Sequence, residues 1–334
     1  MSLPLLSVLV PIYKTEADAL RLLERWRPVL SPAIELILLF DGESAQRERF
    51  EDLARDGHHF RLLQHEQNKG LARARKTLGQ AASGKYLWHH DADDLPVLTH
   101  LNRVLDILAS SDRDMLEFNA KMQRKDADRP LYAAEKTRFL GEQSELDLSI
   151  IQHQYIAQNI WNKLIRKDFW DRATANFEDR AEEVTFTLGE DLFFCHLLLR
   201  NRCSYSFHNI DIYQYFQHES SSSGNLSIEK VRRNYDEINL VFDEIESLID
   251  FNETERDRFN FQKAANLYYC CIRGRMDVKN SRDLVCRIDL PTEMVITLQQ
   301  AVLALSGTFK VTRNRLIRRE PDLAWLKPSA PSHH

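Results

Sequence analysis

A chain of 334 residues with 43% hydrophobic content can bury a sizeable core, as one large domain or two smaller ones. Its formal net charge of -5 argues against a dedicated nucleic-acid binder, and 10 glycines with 10 prolines leave no room for collagen-like or long disordered stretches. Met1 to Val10 has no basic region ahead of its apolar run, which argues against a signal peptide, and no apolar run nears the roughly 20 residues that cross a bilayer.

Leu5 to Ile12 is an apolar, β-branched run that reads as a buried strand. Ala17 to Leu30 carries Leu20, Leu23, Trp26 and Leu30 at helical spacing. Glu35 to Phe40 is a second buried strand stopped by Asp41-Gly42, Gln46 to Ala54 a helix, Phe60 to Gln64 a third strand and Lys69 to Ala82 a further helix. Tyr86 to His90 closes this series as a fourth strand. Strands alternating with helices predict an α/β fold with a parallel sheet covered on both faces, in which ligands collect at the carboxyl ends of the strands.

Those ends are polar. The first strand ends at Pro11 and Tyr13, the second at Asp41, and the fourth runs into Asp91-Ala92-Asp93-Asp94 before Pro96. Three acids within four residues repel one another unless a cation sits among them, so Asp91 and Asp93 are candidate ligands of Mg²⁺ or Mn²⁺, which fill their remaining positions with water and phosphates. A solvated acidic turn has the same composition. What favours a site is the convergence at one sheet edge, where Asp41 can accept a hydrogen bond from a base and Tyr13 can stack on it.

The order and spacing of these segments resemble the family 2 glycosyltransferases with the GT-A fold. The resemblance rests on Val8-Leu9-Val10-Pro11-Ile12-Tyr13, Glu35 to Gly42, Asn68-Lys69-Gly70-Leu71 with Ala74-Arg75, Gly84-Lys85-Tyr86, Asp91-Ala92-Asp93-Asp94 and Gly189-Glu190-Asp191, and it covers roughly Leu5 to Ser223. It implies a Rossmann-like, mixed but mostly parallel sheet flanked by helices. By resemblance Pro11, Tyr13 and Asp41 contact the nucleotide, Asp91 the ribose or metal, and Asp93 the metal bound to the diphosphate. Phe40 departs from the pattern, since many members carry two acids before the glycine.

Arg75 matches a position near the nucleotide and can neutralise phosphate, although with Arg73 and Lys76 it also fits a solvated helix face. Gly70 and Gly79 read as a helix start and a close packing point. Leu101 to Leu108 predicts another helix, Asp114 to Asn119 a strand, and Lys121 to Arg138 an exposed loop or hairpin. Trp161-Asn162-Lys163-Leu164 also resembles members that assemble bacterial surface polysaccharides. Trp161 is either an acceptor platform or core, and Asn162 or Lys163 can fix polar groups of an acceptor.

Glu190-Asp191 heads an apolar stretch. Such a pair can simply complement a helix dipole. Beside a metal-diphosphate site, Asp191 is the candidate general base, with Glu190 orienting the acceptor or supporting Asp191. Tyr213 to Phe216 reads as an aromatic strand leading to His218 and Ser220 to Ser223, where His218 is a candidate phosphate contact or metal ligand, or a surface histidine. His89 and His90 alternate faces of their strand and receive no role. Five cysteines (Cys195, Cys203, Cys270, Cys271 and Cys286) without CxxC spacing read as reduced, mostly buried thiols of a cytoplasmic protein.

A boundary is expected near 223. Residues 1–223 form the catalytic domain and 224–334 a helical region, with helical spacing at Ile228 to Ile249, Phe259 to Cys271 and Pro291 to Leu305. These helices cover the sheet, frame the acceptor cleft or make a homodimer interface. The basic and aromatic tail, with Phe309, Arg313, Arg318, Arg319 and Trp325, either packs on its own domain or rests on an anionic membrane at its inner face. The expected activity is metal-dependent, inverting transfer of a sugar from a nucleotide diphosphate donor, UDP-linked by expectation, to a glycan or lipid-linked hydroxyl. Two rivals are a sugar nucleotidyltransferase, which would need a glycine-rich loop where Pro11 to Ala17 has no glycine, and a non-catalytic nucleotide-sugar or glycan-binding module.

Overall fold

The computed structural model describes residues 3–55, 60–123, 128–130, 142–148, 159–177, 188–216 and 228–253, with scattered positions from 255 to 266. The first half follows the alternation read from the sequence: β1 (Leu6–Ile12), α1 (Glu16–Trp26), β2 (Ile34–Asp41), α2 (Arg47–Ala54), β3 (Phe60–His65), α3 (Leu71–Ala81) and β4 (Tyr86–His89). The short β5 (Leu95–Pro96) and α4 (Leu101–Ser110) lead to β6 (Met115–Gln123), which pairs antiparallel with β7 (Asp128–Pro130). Then come β8 (Glu142–Leu146), β9 (Lys163–Arg166), α5 (Lys167–Ala173), α6 (Glu190–Arg200), β10 (Cys203–Phe216) and α7 (Ile228–Leu248).

The main sheet runs β3-β2-β1-β4-β9-β6-β10-β5. β1 to β4 pair in parallel, with Leu6 opposite both Ile34 and Tyr86. β9 is antiparallel to both β4 and β6, so the fully parallel arrangement read from the alternation holds only for the first half. The GT-A expectation of a mixed sheet describes the whole.

Period-two alternation sorts the strand side chains to two cores. Val8 and Val10 of β1, Leu36 and Leu38 of β2 and Trp88 of β4 pack under α1, α2 and α4, with Trp26 edge-on to Trp88 at 5.6 Å. Leu9, Ile37 and Leu87 face the other way, under α3, α5, α6 and α7. α7 shares this second core through Ile238, Val241 and Phe242, packing against α6. Gly79 of α3 is a close packing point as expected, because a Cβ there would lie 2.2 Å from Trp170 Nε1.

One buried acid fastens the sheet below the site. Glu35 accepts hydrogen bonds from Ser7 Oγ at 2.6 Å, Ser83 N at 2.6 Å and Ser83 Oγ at 2.8 Å. Burial alone would raise its pKa, but those donors outweigh burial and hold it below the ordinary glutamate value. Cys195 and Cys203 are buried free thiols, as read from the sequence. His218, the serines after it, most of the two later C-terminal helices and the basic tail lie outside the described residues.

Candidate active site

The carboxyl ends of β1, β2 and β4 and the head of α6 enclose a cavity of about 440 Å³. Pro11, Tyr13, Asp41, Asp91, Asp93, Trp161, Glu190 and Asp191 all line it, so residues scattered from position 11 to 191 in the chain meet at one place. Each arrives there for a local reason. β1 ends with Lys14 in the left-handed region (φ 58), and Tyr13 beside it is half exposed at the cavity mouth. A hydrogen bond with Asn68, and then the neighbouring Lys14, lower the Tyr13 phenol below its ordinary pKa.

Asp41 is buried at the end of β2. One of its oxygens, Oδ1, accepts from His65 Nδ1 at 2.7 Å and from the Lys69 amide at 2.8 Å. A carboxylate partner requires a His65 proton on Nδ1, and Nε2 lies 2.9 Å from Thr77 Oγ1. Asp41 is thus fixed in orientation by β3 and by the loop before α3. Asn68 and Gly70 also line the cavity, and Gly70 stands at the start of α3 as the sequence indicates.

The cavity wall carries six carboxylates, from Asp41, Asp91, Asp93, Asp94, Glu190 and Asp191, and no lysine or arginine among the described lining residues. Behind the wall sits Arg75, 1% exposed. Its Nη2 lies 2.7 Å from Asp91 Oδ1, 3.2 Å from Glu190 Oε1 and 3.7 Å from Asp191 Oδ1. The solvated helix face is therefore wrong for Arg75, and equally for Lys76, which is buried and donates to Thr174 O and Oγ1. The carboxylates of β4 and α6 draw Arg75 inward from α3. In this structure it holds acids rather than reaching across the wall.

Glu190 and Asp191 occupy the first turn of α6, after Gly189 in the left-handed region (φ 86). α7 packs on that glycine so closely that a Cβ would meet Ile238 Cδ1 at 2.9 Å. Burial raises the pKa of both acids, most strongly for Asp191, where the adjacent Glu190 charge adds to it and Arg75 and Lys163 oppose it. A carboxylate with raised proton affinity on a cavity wall is suited to accept a proton near neutral pH.

The third acid of the turn behaves differently. Asp94 is buried, its Oδ2 accepts from Tyr213 O–H at 2.6 Å and its Oδ1 from the Phe216 amide at 2.8 Å. Burial, with the Asp91 charge, pushes its pKa up to about 8. Of the histidines ahead of the turn, His89 is fully buried with its ring 4.4 Å from that of Trp170. His90 Nδ1 meets the Asp91 carbonyl at 2.8 Å, and burial lowers its pKa to about 4. Both belong to the core, in keeping with their having no assigned role.

Trp161 is packed as core and also reaches the cavity. It is 7% exposed and stacks on Tyr213 at 4.5 Å, yet its remaining surface lines the cavity. Asn162 and Lys163 are corrected: both are fully buried and unavailable to an acceptor. Asn162 Nδ2 donates to Glu117 Oε1 and the Phe118 carbonyl, and Lys163 Nζ donates to the Asn159 carbonyl at 2.6 Å and Asn162 Oδ1 at 3.1 Å. With Tyr205 O–H donating to Glu117 Oε2, they form a polar knot joining β6, β9 and β10.

The described residues include no group of three or more that could cage a metal by itself. The half-buried Asp91 and Asp93 on an acidic wall fit instead an oxygen-loving divalent ion that shares its shell with substrate phosphates and water, as Mg²⁺ and Mn²⁺ do.

Residues 7–148 match the family described as Glycosyl transferase family 2. Over 225 residues the chain is 26% identical to a Bacillus subtilis (strain 168) protein named "Putative glycosyltransferase EpsH", covering 66% of this chain and 63% of the relative. It is 28% identical over 209 residues to the uncharacterized glycosyltransferase EpsJ of the same organism, covering 56% of each. The chain thus spans less than two thirds of the length of these curated relatives. Among solved structures, S. aureus TarS 1-349 in complex with UDP-GlcNAc superposes with a TM-score of 0.54 at 19% identity, over 89% of this chain and 79% of that one. The mannosyltransferase PcManGT from Pyrobaculum calidifontis, in complex with GDP-Man and Mn²⁺, does so with 0.53 at 10% identity, over 92% and 81%. Residues 7–148 thus match the family 2 glycosyltransferases, and the sheet order with these structural matches shows a GT-A fold.

Proposed function

We propose that the protein is a metal-dependent, inverting glycosyltransferase that moves one sugar from a nucleotide diphosphate donor, UDP-linked in our reading, to a hydroxyl of a glycan or lipid-linked acceptor in bacterial surface polysaccharide synthesis. The observation that carries this reading is the meeting of two acidic pairs on the wall of one cavity. Asp91 and Asp93 stand on the β4 side beside Tyr13 and Asp41, and Glu190 and Asp191 stand at the head of α6.

Tyr13 and Asp41 take the nucleoside, the first by stacking and the second through a hydrogen bond from the base. Asp93, with Asp91, would hold Mn²⁺ or Mg²⁺. When bound, that ion supplies the positive charge that a diphosphate needs beside six carboxylates and stabilises it as it leaves. The acceptor oxygen attacks the anomeric carbon from the face opposite the diphosphate, and its proton passes to the Asp191 carboxylate. The carbon–oxygen bond to the diphosphate breaks and its electron pair leaves with the nucleotide, so the configuration inverts. Glu190, tied to Arg75, keeps Asp191 in place, and Trp161 offers its cavity-facing surface to an acceptor sugar. Among the described residues no helix is long and apolar enough to cross a membrane.

Replacing Asp191 with asparagine tests the assignment. Calorimetry with Mn²⁺ and UDP should show binding close to wild type, while turnover falls by about 10²- to 10⁴-fold, the usual worth of a general base. Loss of nucleotide binding in Asp191→Asn would move that residue out of the base role.

A further inference from the structure

The Tyr213 hydroxyl does two things at once. It accepts a hydrogen bond from the Asp91 amide at 3.3 Å and donates one to Asp94 Oδ2 at 2.6 Å. Asp94 Oδ1 in turn accepts from the Phe216 amide at 2.8 Å, and the Asp94 amide reaches back to the Asp91 carbonyl at 3.4 Å. The first and last residues of the acidic turn are thereby tied to one phenol oxygen and to the end of β10. The phenol itself has little freedom. Tyr213 is fully buried, its ring stacked on Trp161 at 4.5 Å and tilted against His90 at 4.7 Å. Its backbone lies opposite Pro96 of β5 and Ala120 of β6, and the Val97 amide donates to the Ile212 carbonyl at 2.7 Å.

We propose that Tyr213 and Asp94 are positioning residues that lock the turn between them, so that the Asp91 and Asp93 carboxylates are held ready for the metal-diphosphate before it arrives. The inference rests on the donor site proposed above. Asp94 has both oxygens engaged inside the protein, which removes it from the ligand set and gives the third acid of the cluster a separate task. Groups one step behind a metal ligand orient it, and losing one typically weakens metal binding without unfolding the protein.

The test is binding rather than turnover. Mn²⁺ bound in the presence of UDP or GDP can be counted by electron paramagnetic resonance and by calorimetry, with the melting temperature followed in EDTA. Tyr213→Phe keeps the ring and its stacking but loses the hydroxyl. It should weaken Mn²⁺–nucleotide binding by about tenfold or more, at a melting temperature within a few degrees of wild type. Asp94→Asn retains an acceptor for the Phe216 amide and can donate to the Tyr213 oxygen, so it should stay within about threefold of wild type, whereas Asp94→Ala should fall with Tyr213→Phe. If Tyr213→Phe binds as the wild type does, or if it loses affinity only as far as it loses folded protein, the inference is overturned and the donor site stands. If wild-type protein binds neither nucleotide with Mn²⁺, the donor site falls and this inference with it.

Discussion

Replacing Arg75 with methionine would test the electrostatic account of the cavity wall. Methionine keeps an unbranched apolar stem in the space under α3 but removes the guanidinium that stands 2.7 Å from Asp91, 3.2 Å from Glu190 and 3.7 Å from Asp191. Removing one partner from a buried ion pair costs about 3–5 kcal/mol, because the remaining charge is left without compensation. Here the remaining acids can soften that cost by taking up protons, since burial already raises the affinity of Glu190 and Asp191 for them. Without Arg75 that affinity rises further in the folded state. A group whose folded pKa lies above its unfolded value loses its stabilising contribution as pH rises, so the variant should be weakest in alkaline solution. Urea denaturation in EDTA should show a deficit of about 3 kcal/mol near pH 8 that narrows towards about pH 5. A deficit of constant size across that range would mean that Arg75 matters for the volume it fills, and its absence altogether would mean that the three acids do not depend on it.

Other outcomes follow from the same structure. His196 is buried with Nδ1 at the Leu192 carbonyl and Nε2 at Gln262, and burial lowers its pKa to about 4. Between pH 6.5 and that value the unfolded chain binds a proton that the folded one refuses, so stability is lost as pH falls, by about 3 kcal/mol from this residue; His196→Gln should flatten that part of the acid denaturation profile. Gly84→Ala would place a Cβ 2.5 Å from Ser7 Oγ and 2.8 Å from the Ser7 amide, in the middle of the Glu35 hydrogen bonds. A loss of about 1–3 kcal/mol by thermal or urea unfolding is expected, and an unchanged melting temperature would show that the strand edge can shift to make room. EDTA should abolish binding of UDP or GDP by calorimetry, because the described wall offers a diphosphate six acids and no basic side chain; undiminished binding in EDTA would refute the metal requirement.

The first half of the fold was legible because its strands are continuous apolar runs and its helices carry one clear stripe, a pattern set locally. β9 was not. It is four residues long and opens on Lys163 directly after Asn162, and nothing local reveals that it inserts antiparallel between β4 and β6. The same limit explains the misreading of Asn162 and Lys163, whose partner Glu117 lies 45 residues away from Asn162 and becomes visible only when β6 and β9 are paired. Cavity residues at strand ends were legible because topology fixes where such ends meet. Arg75 could be read as a phosphate contact or a solvent-facing cation, and neither reading foresaw that acids 16 and 115 residues away would bury it. Tyr213 gave no sign of its role, since an aromatic residue in a strand looks like core, and its hydroxyl matters only in relation to the turn after β4.

The placement of β9 also bears on how the chain is made. As synthesis proceeds from the N-terminus, β1 to β4 can pair as soon as they emerge, but the outer edge of β4 has no partner until residues 163–166 appear. For that interval an apolar strand, Tyr86–His89, offers unpaired backbone groups to any neighbouring nascent chain. A polypeptide ending at residue 148, where the family match stops, would keep that edge open permanently and leave the β9-facing side of β6 bare as well. The boundary drawn by sequence similarity is therefore a poor place to cut, and a soluble fragment has to extend at least through β10.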